Sequence, residues 1–157
     1  MNLCKAPNEI RTILPPRMSV FLAGSIEMGK AILWQQKVAQ ELSDIDNIIV
    51  YDPRRDDWDS TWIQDPSPGT QFNTQVEWEL DKISKSDVIA FYFDPATQSP
   101  ITLLELGHCL GSGKRVVVCC PDGYFRKGNV VITCRKHGVR VLNDIDNLVA
   151  DLRTHLI

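Results

Sequence analysis

The feature that most constrains this chain is the alternation of short, wholly apolar runs with longer segments of helical period. MSVFLAG (18–24), NIIVYDP (47–53), DVIAFYFD (87–94), KRVVVCCPD (114–122) and GVRVLND (138–144) read as strands. Between them, 30–43 place Ile32, Leu33, Val38, Ala39 and Leu42 close to helical spacing, and 71–87 turn Val76, Leu80 and Ile83 to one side. Residues 100–111 predict a helix with Pro100 in its first turn, where a missing N–H is tolerated, and 145–157 a closing helix. Apolar strands each followed by a helix imply a parallel sheet covered on both faces. The expectation is one α/β domain over 18–157 with a five-stranded parallel sheet. Residues 1–17 precede it as a short extension ending at Pro15-Pro16.

In such sheets ligands bind beyond the carboxyl ends of the strands. That rule selects 23–30, 53–70, 94–105 and 121–129. The polar stretch 54–70, rich in Asp, Pro and Trp, is a loop of the length that is often functional. A formal net charge of −3 argues against a nucleic-acid polymer as partner. No apolar run approaches the ~20 residues of a membrane span, and the N-terminus lacks a signal-peptide core. Five cysteines, an odd number, read as free thiols in a cytoplasmic protein. CxxC and HExxH are missing and the three histidines are scattered, so no metal is expected.

GSIEMGKA (24–31) nearly matches the phosphate loop GxxxxGK[ST], but Ala31 offers no hydroxyl for Mg²⁺. A degenerate triphosphatase is therefore the third reading of this chain. What the turn keeps is backbone N–H groups at a helix start and the Ser25 hydroxyl, able to hold a phosphate or a sugar hydroxyl. In SPITLLELGHCLGSGK (99–114), Glu105 sits among Leu103, Leu104 and Leu106. A lone buried carboxylate is costly, so Glu105 either faces solvent or faces a site that needs it.

FLAGSI at the first turn, the acid-bearing helix ending in SD before the third strand, and SPITLLELGHCLGSGK together resemble the nucleoside 2-deoxyribosyltransferase superfamily, which includes the 2′-deoxynucleoside 5′-monophosphate N-glycosidases. DPRRDDWDSTW and GYFRKGNV resemble a deoxyribosyltransferase-like branch of it. The resemblance covers about residues 18–140. It implies a flavodoxin-like three-layer sandwich and a catalytic glutamate at Glu105, which attacks C1′ to give a covalent glycosyl-enzyme. Transfer to a base makes a transferase, and transfer to water a hydrolase. No cofactor is required. The second acid of the family, usually Asp, falls on Glu79, eight residues before Asp87; the same position suits a solvated helix face.

Ser99, six residues before Glu105, and the Gly24-Ser25-Ile26 turn match phosphate contacts of the monophosphate glycosidases; Ser99 equally suits an N-cap. Phe21 stands where the family carries a Tyr whose hydroxyl lies near the glutamate. Phe cannot donate that hydrogen bond, and Tyr92 or Trp78 would have to replace it. This departure feeds the second reading, a nucleotide-binding or sensing module without turnover. Arg54 and Trp58 fall at the edge where bases bind, though an ion-pair cluster would place them equally well. Asn129 aligns with an asparagine inserted into a neighbouring subunit's site, implying a homodimer or larger homo-oligomer with shared sites; a helix cap is its alternative. The partner implied is a deoxynucleoside or its monophosphate.

Overall fold

A computed structural model describes residues 1–12, 15–27, 31–57 and 61–157. The elements in chain order are β1 (Asn2–Lys5), β2 (Met18–Gly24), α1 (Trp34–Glu41), β3 (Ile48–Asp52), α2 (Gln71–Lys85), β4 (Val88–Tyr92), α3 (Pro100–Gly111), β5 (Val116–Cys119), α4 (Lys127–Lys136), β6 (Val141–Leu142) and α5 (Ile145–Leu156). Every strand pair is parallel, in the order β1-β3-β2-β4-β5-β6. Without β1 this is the flavodoxin-like order. The expected α/β sandwich is thus present, with six strands rather than five.

The sixth strand lies in the stretch read as an extension. Asn2–Lys5 pairs with Ile49–Asp52 at the sheet edge, and only Cys4 of β1 is buried. A strand with one buried residue carries no apolar run for sequence to reveal. α4 was likewise not expected. It buries only Val130 and Cys134, one turn apart, and Val131, Ile132 and Thr133 are poor helix formers.

The apolar strands are divided by their two-residue period. Phe21, Ala23, Ile89, Phe91 and Phe93 face one layer, with Trp78 of α2, Leu106, Cys109 and Leu110 of α3, and Val130 and Cys134 of α4. Val20, Leu22, Val50, Val88 and Ala90 face the other, with Trp34, Val38 and Leu42 beside α1, and Leu148 and Leu152 of α5. All five cysteines are buried free thiols. Among the described residues no helix is long and apolar enough to cross a membrane.

α1 begins at Trp34, later than the expected 30, and Ile32 and Leu33 are exposed. The backbone ahead of it is committed elsewhere. The Ile32 N–H donates to Asp94 Oδ2 at 3.0 Å, while the Arg54 guanidinium donates to the carbonyls of Ile32 and Ala31. Groups taken by side chains from the ends of β3 and β4 are not available to a helix ladder.

Candidate active site

β2 leads to α1 on one face of the sheet and β4 leads to α3 on the other, so a crevice opens between their carboxyl ends. Gly24 closes β2 there. A Cβ at this position would lie 2.5 Å from the Tyr92 carbonyl oxygen and 2.6 Å from a Trp34 ring carbon, so only glycine fits. The Ser25 N–H donates to that same Tyr92 carbonyl at 3.0 Å. Ile26 follows, half-buried.

Three buried hydroxyls then join the two turns. Ser25 Oγ lies 2.8 Å from Thr97 Oγ1 and 2.6 Å from Ser99 Oγ, and it accepts the Asp94 N–H at 2.9 Å. Thr97 Oγ1 also donates to the Asp94 carbonyl, and Asp94 Oδ1 accepts the Ala96 N–H. Ser99 occupies the N-cap position of α3 at φ +48°, but its side chain makes no cap bond. Glu27, itself at φ +39°, ties down the approach to the helix: its Oε1 accepts the N–H groups of Gln98 at 2.5 Å and Ser99 at 2.7 Å. The Tyr124 hydroxyl donates to the Gln98 carbonyl at 2.6 Å and holds the loop from the β5 side.

Glu105 and Glu79 come together across α3 and α2, both half-buried. Burial pushes Glu105 up to about 8, with the charge of Glu79 adding to the rise. Burial pushes Glu79 up to about 7, against a Gln75 N–H bond that favours its ionised form. Among the described residues no donor or cation bonds the Glu105 carboxyl, which is why burial acts on it unopposed. Burial thus favours the protonated form of both carboxyls. The arrangement places two carboxyls of raised pKa on neighbouring helices.

The other expected site residues are placed as follows. Phe21 is fully buried, with its ring 6.3 Å from that of Trp78. The Trp78 Nε1–H donates to the Asn8 carbonyl, and Tyr92 packs in the opposite layer against Trp34. Arg54 is half-buried, and its guanidinium holds the Ala31–Ile32 backbone and Gln35 Oε1. Arg55 pairs with Asp57 through two bonds of 2.8 Å and stacks 4.8 Å from the Trp62 ring centre. Trp58 lies outside the described residues, as do Gly29 and Lys30 of the phosphate-loop-like turn. Asn129 is exposed on α4. A cleft of about 620 Å³ opens beside α1, with Lys5, Gln35, Asp52 and Arg54 in its lining but no residue of α2 or α3.

Sequence reasoning missed Glu27, Gln75, Thr97 and Tyr124. Thr97, two residues before the matched Ser99, was within reach of a motif reading; the partners of the others are set by the tertiary fold.

Among curated proteins none matches this chain. Among solved structures the chain is similar to a conserved protein from Enterococcus faecalis V583. Identity is 15%, the TM-score is 0.59, and the match covers 88% of this chain and 99% of that one, so the likeness is one of fold. The model of the family described as nucleoside 2-deoxyribosyltransferase like matches residues 17–124, from the start of β2 to the tyrosine that braces the α3 loop, and the chain belongs to that family.

Proposed function

We propose that this protein cleaves the N-glycosidic bond of 2′-deoxynucleosides, with Glu105 as nucleophile and Glu79 as acid and base. The observation that carries the reading is the half-buried carboxyl pair on α2 and α3, both members pushed up towards neutral pH. In the first step a Glu105 oxygen bonds to C1′, the C1′–N bond breaks, and the Glu79 proton passes to the departing base. In the second, water or another base attacks C1′ from the same face, Glu79 takes back a proton, and the Glu105 ester bond breaks. To act in these roles Glu105 must be ionised and Glu79 protonated, a distribution that positive charge developing at C1′ favours. The scheme uses carboxyls alone.

The start of α3 favours a nucleoside over its 5′-monophosphate. The Gln98 and Ser99 N–H groups are taken by the Glu27 carboxylate, and the Ser25 and Ser99 hydroxyls bond to each other. A phosphate arriving there meets the like charge of the Glu27 carboxylate.

The test is to incubate the protein with a panel of 2′-deoxynucleosides and their 5′-monophosphates, with and without free adenine, and to identify products by mass. Free base with deoxyribose, or an exchanged nucleoside, is expected, with kcat/KM at least ~10-fold lower on the monophosphates. Tight binding without any product would instead support a sensing module.

A further inference from the structure

Gln75 stands four residues before Glu79 on α2 and is 4% exposed. Its Nε2 donates to Glu79 Oε1 at 2.8 Å and to the Pro53 carbonyl at 3.1 Å. The Pro53 carbonyl can only accept, so it fixes which end of the amide points which way. The price of that arrangement is visible at the other end, where Oε1 is buried with no hydrogen-bond partner. A buried orphan acceptor is unfavourable, and a native fold that keeps one calls for a specific reason. Turning the amide over gives no relief, because it would set oxygen against the Pro53 oxygen. Both N–H groups are therefore committed to tying the Glu79 carboxyl to the chain that leaves β3.

We propose that Gln75 is a positioning residue that fixes the orientation of the Glu79 carboxyl towards Glu105 and couples it to the loop following β3. The charged groups nearby do not supply this. On α2, Lys82 is held by Glu9 and Asp81, and Glu77 is exposed. At the end of β3, Arg54 is held by the Ala31–Ile32 backbone, and Asp52 accepts the Arg54 N–H. On α3, Glu105 is the charged neighbour and Cys109 lies one turn beyond it. Gln75 is thus the described donor to Glu79: it favours the ionised form, and it sets the direction in which that carboxyl presents its proton to the departing base.

The inference rests on the reading of Glu79 as acid and base, and two measurements separate it from that reading. The first needs no turnover. Carbon-13 NMR of labelled glutamates, with Glu79→Gln assigning the signal, follows the titration of Glu79 in the wild-type protein and in Gln75→Leu and Gln75→Met. Loss of the donor should move the Glu79 midpoint to higher pH by about one pH unit, with the melting curve confirming a folded chain. The second compares a 2′-deoxynucleoside with 4-nitrophenyl 2-deoxyriboside, whose leaving group needs no proton. The variants should lose at least ~10-fold more kcat/KM on the nucleoside than on the aryl glycoside, because kcat/KM reports the first step, in which only the nucleoside needs the positioned Glu79 proton. An unmoved midpoint, or equal losses on both substrates, overturns the role given to Gln75. A moved midpoint in a protein that cleaves neither substrate upholds it and removes the glycosidase reading instead.

Discussion

The loop that ends β4 and the helix it leads into are bonded in opposite ways. Between Asp94 and Ser99, side chains, backbone N–H groups and the Gln98 carbonyl are engaged by Ser25, Glu27, Ile32 and Tyr124, and the hydroxyls of Thr97 and Ser99 are sealed from water. Six residues after Ser99, the Glu105 carboxyl is half-buried beside a second acid, with no described donor. The loop has gathered more partners than a turn requires, and Glu105 has fewer than a buried carboxylate wants. The contrast separates a loop whose polar groups are satisfied from a carboxyl that burial leaves without a described donor. A rigid floor allows an unfavourable electrostatic arrangement above it to persist, which is the usual relation between a scaffold and a site.

Removing the reactive side of the contrast should give the largest effect. Glu105→Gln keeps the shape and loses the nucleophile, so turnover should fall by at least ~10³-fold while substrate binding remains. Stability reports the same strain. Both carboxyls titrate above their ordinary 4.5, at about 7 and about 8, so across that window the folded chain holds more protons than the unfolded one. Stability must then fall as pH rises from about 4.5 to about 8. Glu105→Gln should flatten that slope in melting curves taken between these limits. A slope unchanged by the substitution would mean that the carboxyl is not strained.

Breaking the ordered side should cost stability first and activity second. Ser25→Ala leaves the Asp94 N–H and two hydroxyls short of a partner, a loss of about 1–3 kcal/mol. Gly24→Ala forces a methyl against the Tyr92 carbonyl and should lower Tm further. Thermal denaturation ranks the two, and a stable Gly24→Ala chain would show that the β2–β4 approach is looser than its distances state.

The smallest effect should come from making the two regions alike. Phe21→Tyr brings a hydroxyl into the buried layer that also holds Trp78 and Leu106. If that hydroxyl reaches Glu105, the carboxyl gains a donor and its titration moves down. The acid limb of kcat/KM should shift to lower pH by up to about one pH unit, and an unshifted profile would place residue 21 outside the reach of Glu105.

What the sequence revealed follows the same division. MSVFLAG and DVIAFYFD announce themselves because both of their faces are buried, and Pro100 marks the start of α3 to the residue. Glu105 and Glu79 were legible because they sit inside motifs shared with a known superfamily. Asp94, Thr97 and Ser99 meet Ser25 across 69 to 74 residues of chain, and no local pattern encodes such a meeting. Gln75 was hidden for a different reason. Its position on α2 is ordinary for glutamine, and only the closeness of the Pro53 carbonyl makes it distinctive.

β1 has a further effect, on the boundary of the sheet rather than on its chemistry. The open rim of a sheet can template pairing with another chain, and long apolar rims are the most hazardous. Here the rims are a four-residue strand that ends in Lys5 and meets Pro7 soon after, and a strand of only two residues, Val141–Leu142. Between them the apolar run Ile48–Asp52 is paired on both sides. The first few residues thus act as a hem, keeping the apolar β3 from becoming the border of the sheet.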